Sequence, residues 1–229
     1  MTERESGVAR VHRVRMSHVE LDPRYGVLRN ALTPEHLRGP AFGNRFDATT
    51  LLYDLFRSAD GQRVIGVGPP FRGGIDVVND LQVRLTEAGE PLPFRVEPVA
   101  PPDRPRLPGR VVIDVPPQVS EVFLRLGLQE WRVPIQPNLG EAFAGTLALM
   151  TLSCDNDLDW IEDWARFHAV NYGVDAVVLY DNASVAYGPS EIEDRLRTVP
   201  GLREIVVIDQ PARFGVRQQD LTGRYNAYP

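Results

Sequence analysis

Cysteine is nearly missing from this sequence: Cys154 stands alone, which excludes an internal disulfide and a cysteine-based zinc cluster and suits a reducing compartment. No apolar run approaches the roughly 20 residues that a membrane-spanning helix needs. The opening MTERESGVARVHRVRMSHVE mixes charges of both signs and holds no continuous apolar stretch, so it reads as neither a secretory signal nor an anchor. A soluble protein of the cytoplasm is the expectation. A concentrated basic face is lacking too: the net charge is −6 and the arginines are scattered, which argues against nucleic acid as a partner. Phosphate loops are also absent. Phe71-Arg72-Gly73-Gly74 is followed by no Gly-Lys-Ser/Thr and reads as a turn, and no Gly-x-Gly-x-x-Gly follows the first strand of the C-terminal third, which removes a Rossmann dehydrogenase. His12, His18 and His36 lack the spacing of a metal motif.

What is present is ordinary for a globular chain, with 43% hydrophobic and 24% charged residues. Residues 1–46 are polar and read as an irregular lead-in, with a helical turn at Thr33-Pro34-Glu35-His36-Leu37. From Thr49 the texture changes to short apolar runs punctuated by glycine and proline, TLLYDLF, RVIGVG, IDVVND, LQVRLTEAGEPLPFRVEPV, RVVIDVP, EVFLRLG and EWRVPI. These predict a mainly-β, sandwich-like domain over 47–138, with Tyr53, Phe56, Val83, Leu85, Phe94, Val96, Val112, Phe123 and Trp131 as core candidates. Pro98–Gly109 is too proline-rich for a helix or central strand and reads as an extended loop.

From Thr146 strands alternate with helices: TLALMTLS, a helix over 158–172, AVVLYD, a helix over 190–198, then EIVVID. Such alternation predicts parallel strands joined by helical crossovers, an α/β domain over 146–229. Leu158, Ile161, Trp164, Ala165 and His168 recur at three- and four-residue steps and so face the sheet. His168 therefore reads as a packed core histidine and Cys154 as a small buried apolar residue at a strand end, while Trp160, Trp164 and Phe167 fit sugar stacking as well as packing and read first as packing aromatics.

Two strands end in an acid-amide step, Asp155-Asn156 and Asp181-Asn182. Loops beyond the carboxyl ends of parallel strands form the crevice where ligands bind, and a carboxylate beside an amide can accept from a ring N–H or a ribose hydroxyl while the amide also donates. Helix capping and turn formation are the other uses of the same residues.

The stretch Asp155-Asn156-Asp157, Asp163-Trp164-Ala165-Arg166-Phe167-His168, Gly173-Val174-Asp175 and Tyr180-Asp181-Asn182-Ala183-Ser184 resembles the opening of glycosyltransferases related to family 92 and the family 2 group near it. RFGVRQQDLTGRYNAYP, residues 213–229, resembles the glutamine-rich stretch ahead of an Ala-Tyr helix in the same group. Asp157 and Asp163 depart from the pattern, where relatives often carry Glu. The resemblance implies the start of a GT-A, Rossmann-like domain that binds a nucleotide-diphosphate sugar, usually with manganese or magnesium, and transfers the sugar to a hydroxyl of a glycan or other acceptor. On that resemblance Asp181 contacts the base or ribose, with Asn182 beside it, and Asp155 or Asn156 supplies the group at the first strand's end.

A metal-holding Asp-x-Asp pair at the end of a later strand does not occur before Pro229, since Asp209 stands alone there. The expectation is therefore that the motif lies beyond Pro229, that this chain alone binds no metal and turns over no donor, and that catalytic residues remain unassigned. A non-catalytic remnant, or a carbohydrate- or protein-binding module, is the competing expectation.

Overall fold

In a computed structural model, residues 8–31, 33–70, 75–97 and 108–212 are described. The Phe71–Gly74 turn, most of the Pro98–Gly109 loop and the 213–229 stretch lie outside them. The chain divides into a unit of Met1–Met16 with Leu139–Pro211 and a unit of Ser17–Asn138 with Ala212–Pro229. The first strand, β1 (Arg10–Arg15), belongs to the former, although it falls in the segment read from sequence as an irregular lead-in.

The β-rich unit follows. β2 (Val19–Glu20) pairs antiparallel with β3 (Thr50–Leu52), after a single helical turn α1 (Phe42–Arg45). β4 (Asp54–Arg57) and β5 (Arg63–Gly68) come next, then the short helix α2 (Ile75–Asn79). The remaining strands are β6 (Gln82–Arg84), β7 (Phe94–Glu97), β8 (Gly109–Asp114), β9 (Glu121–Leu126) and β10 (Gln129–Pro134). They form a four-stranded antiparallel sheet ordered β4-β5-β8-β7 and a three-stranded one ordered β10-β9-β6. One apolar cluster joins them, with Leu52, Leu55, Val64, Val83, Val111, Ile113, Val122, Leu124 and Val133 all buried.

Several local expectations change. The IDVVND run is helical at α2 rather than extended, because five residues are too few for periodicity to separate helix from strand. The helical turn expected over Thr33–Leu37 is a 3-10 helix over Glu35–Leu37, with Pro34 directly before it. In β9 the buried side chains are Val122, Leu124 and Leu126, so Phe123 takes the opposite face: the alternation was right and the choice of face was not. Val83 and Val112 are buried, while Leu85, Phe94, Val96 and Trp131 are only partly so.

The chain then returns to the parallel sheet through β11 (Ala148–Ser153), α3 (Leu158–Tyr172), β12 (Ala176–Asp181), α4 (Pro189–Arg197) and β13 (Glu204–Asp209). All pairings are parallel, in the order β1-β13-β12-β11. The mixed α/β class follows directly from this sheet. Ile161 and Ala165 of α3 and Ile192 and Leu196 of α4 are buried with Val177, Leu179, Ile205 and Val207, so both helices cover one face. Asp157 caps α3 by accepting Asp159 N–H at 2.8 Å, and Gly173 ends it in the left-handed conformation at φ 71°.

β1 was hidden from sequence reading because RVHRVR alternates arginine with apolar residues and has no uninterrupted apolar run. Its charges are met instead by acids far along the chain. Arg13 makes a two-pronged contact with Glu193 of α4, at 2.6 and 2.8 Å. Arg10 and His12 both reach Glu204, which is fully buried.

Candidate functional site

The register of the parallel sheet places Ser153, Asp181 and Asp209 side by side at its carboxyl edge. The four residues singled out from sequence all lie there. Asp155, in the bend after β11, adopts φ 51°, a left-handed conformation that non-glycine residues rarely take. Its backbone N–H donates to Ser184 Oγ at 2.9 Å, and its Oδ1 accepts the N–H groups of Val185 and Ala186 at 2.8 and 2.9 Å. Asn156 Nδ2 donates to Ser153 Oγ at 2.9 Å.

Asp181 closes β12 and is buried, with Oδ1 accepting Ser184 N–H at 3.3 Å. Asn182, also buried, donates its N–H to Ser153 O at 2.8 Å and its side-chain amide to Gln210 O at 3.2 Å. Ala183 follows at φ 55°, so each of the two loops turns through one left-handed non-glycine residue. The result is a rim in which the loops after β11 and β12 are laced together. The acid-amide steps build these turns, and they do so at the carboxyl ends of the parallel strands.

Ser153 and Ser184 are members of this network that sequence reasoning did not assign; the only available signal was the Asn-x-Ser spelling of Asn182-Ala183-Ser184. Asp175, from the Gly-Val-Asp step, lies at the opposite end of the sheet. There it accepts Leu147 N–H at 2.8 Å and pairs with Arg203 at 3.2 Å, a fastening of the strands' amino ends.

Cys154 is exposed, contrary to the expectation of a small buried residue, because β11 is an edge strand and the buried end position is Ser153. Trp160 and Phe167 are exposed as well, at 69% and 54%. With a turn every 3.6 residues they fall on the side of α3 away from Glu162, which faces Arg195 of α4 at 3.3 Å. Trp164 is partly buried as expected. His168 is half-buried, its Nδ1 sits 2.8 Å from Trp164 O, and its ring lies among Trp164, Phe167 and Tyr172, the packed role read from sequence. Among the described residues no three His, Cys, Asp or Glu side chains converge as a metal-ligand set. No helix among them is long and apolar enough to cross a membrane.

Compared with protein-family models, with curated proteins and with solved structures, the chain has no match.

Proposed function

We propose that the parallel-sheet unit binds the nucleotide of a nucleotide-diphosphate sugar at the carboxyl ends of β11 and β12, as in a glycosyltransferase that passes the sugar to an acceptor hydroxyl. The observation that carries this reading is the placement of Asp181: a carboxylate 3% exposed, at the end of a central parallel strand, beside the buried Asn182 and the Asp155-Asn156 bend. A ligand in that crevice meets acceptors for a base N–H or ribose hydroxyls, and amides that can also donate. The resemblance of the motif series to family 92 glycosyltransferases supports the same assignment. Manganese or magnesium, where such an enzyme uses it, stabilises the charge that gathers on the departing diphosphate. The described carboxylates do not by themselves fit a metal site, so this chain alone is expected to bind donor without turning it over.

The experiment is thermal unfolding with nucleoside diphosphates and with sugar-loaded forms. Binding to the native state alone raises the melting temperature, and Asp181→Asn should remove the rise while leaving the unliganded transition in place. Failure of every nucleotide to raise it rejects the assignment. Metal-dependent donor turnover by this chain would instead reject the absence of catalysis and direct attention to Asp155 and Asp157. A second reading, a non-catalytic binding module, is favoured by one feature: Asp155 Oδ1 and the Asn182 amide are already occupied by backbone partners.

A further inference from the structure

The three-stranded sheet β10-β9-β6 has one face in the core and one turned outward. On the outward face the register aligns Arg84, Phe123 and Arg132 directly across three strands, with Gln82, Arg125 and Glu130 as the next row. Directly opposed residues stand about 5 Å apart at Cβ, so Phe123 has an arginine opposite it on each neighbouring strand, with a third two residues along its own strand. Arg84, Phe123, Arg125, Glu130 and Arg132, with Glu87 and Trp131, line a cleft of about 220 Å³. That is below the roughly 300 Å³ at which pockets begin to hold drug-sized molecules, and it suits a single ring.

The three guanidinium groups differ in how they are satisfied. Arg132 pairs with Glu121 at 2.8 Å and Arg125 with Glu130 at 3.6 Å. Among the described residues Arg84 has no carboxylate partner. Its Nη2 donates to Gln82 Oε1 at 2.7 Å and its Nη1 to Glu87 O at 3.3 Å, while its buried Nε–H meets no acceptor among them. An ordinary cross-strand row of arginine and phenylalanine would cover the sheet with every donor met by solvent or a neighbour. Here a concave wall holds one unpaired charge and one unmet donor beside an aromatic face.

We propose that this cleft binds a monoanionic ring, of the chemical class of a sugar carrying one carboxylate, with the ring laid on Phe123 and the carboxylate held by Arg84. One unpaired guanidinium calls for one negative charge, and a second charge on the ligand would face Glu87 and Glu130. A polyanion is disfavoured for the same reason. The cleft lies wholly within the β-rich unit, so the inference stands apart from the nucleotide reading and survives its failure.

The test is titration of the full chain with glucuronate, glucose and acetate, followed through backbone amide NMR shifts. Glucuronate should saturate, with shifts concentrated at residues 82–87, 122–126 and 129–132. Glucose, a ring without the charge, and acetate, a charge without the ring, should each bind at least about tenfold more weakly. Arg84→Gln should weaken glucuronate by about tenfold or more, since a charge-assisted bond is lost. Phe123→Leu should weaken glucuronate while leaving acetate unchanged, and it provides the check should Arg84→Gln fail to fold. The proposal is overturned by no saturation at about 10 mM glucuronate, by acetate binding as well as glucuronate, by shifts centred elsewhere, or by undiminished binding in a folded Arg84→Gln or Phe123→Leu variant.

Discussion

Asp155 and Val185 are joined by a 2.8 Å hydrogen bond, from the Val185 backbone N–H to the Asp155 carboxylate, across thirty residues of sequence. The loop after β11 is thereby clipped to the loop after β12. The same oxygen takes a second N–H from Ala186, so one side chain orders both sides of the candidate crevice.

Asp155→Ala removes the acceptor of two N–H groups and leaves a side chain poorly suited to φ 51°. The expected loss is about 1 to 3 kcal/mol in urea unfolding, with nucleotide binding weakened in parallel. Asp155→Asn keeps an acceptor and tolerates the left-handed backbone, so it should cost less than half as much. Equal effects of the two substitutions would show that the clip is not held by the side-chain oxygen.

Glu204 is fully buried and is the shared partner of Arg10 and His12, 194 and 192 residues away along the chain. It ties β1 to β13. Glu204→Ala should cost about 2 to 4 kcal/mol, because the strand loses both contacts and a void replaces the carboxylate. Glu204→Gln keeps the shape and an acceptor, and should retain most of that stability. A Glu204→Ala protein as stable as the parent in urea would mean that β1 is held by its backbone ladder alone.

Asp54 makes the β-rich unit sensitive to pH. Burial pushes its carboxyl up from 3.8 to about 6, although the Ser17 and Leu55 N–H groups, at 2.7 and 3.0 Å, partly offset the cost of the charge. Between about pH 4 and pH 6 the folded chain keeps a proton that the unfolded chain has lost. Stability from this group therefore falls as pH rises through that window and is level above it. The full difference is at most about 3 kcal/mol, less where water reaches the site. Asp54→Asn should be more stable than the parent at pH 7 by about 1 to 2 kcal/mol and should lose the slope, measured as the urea midpoint at pH 4 and pH 7. A parent whose stability is no lower at pH 7 than an otherwise matched Asp54→Asn protein would contradict this.

These relationships show which features are legible in a single sequence. The run β11-α3-β12-α4-β13 announces itself because each element has a clear period and each connection is short. The identity of its fourth strand does not, since β1 is separated from β13 by nearly the whole chain and its alternating arginines resemble a polar leader until Glu204 and Glu193 are seen opposite them. At the candidate site, Asp155 and Asp181 stand out by their place at strand ends. Their tie through Ser184 does not, because it depends on two left-handed turns. In the β-rich unit a one-residue parity choice decides whether Phe123 is core or cleft, and the alternation Val-Phe-Leu is equally apolar both ways.

The two edges of the parallel sheet differ in a way that predicts association. The β1 edge carries Arg10, His12, Arg13 and Arg15, charges of the kind that keep an edge strand from pairing with another chain. β11, at the other edge, reads Ala-Leu-Met-Thr-Leu-Ser. It has no charge and no proline, and among the described residues no strand pairs with its outer side. Met150 and Leu152 are 69% and 37% exposed, and Leu147 just before the strand is exposed as well. A row of unmet backbone donors and acceptors between apolar side chains is a template for another strand, so the chain should self-associate at concentrations of tens of micromolar, roughly the range of weak pairing. Leu152→Lys and Met150→Lys place a charge on that edge without entering the core, because both side chains are exposed. Each should shift the protein toward monomer in sedimentation velocity, with no loss in urea midpoint. A parent chain that remains monomeric at about 100 μM, or lysine variants that associate as strongly as the parent, would show that this edge is protected in solution by some other part of the molecule.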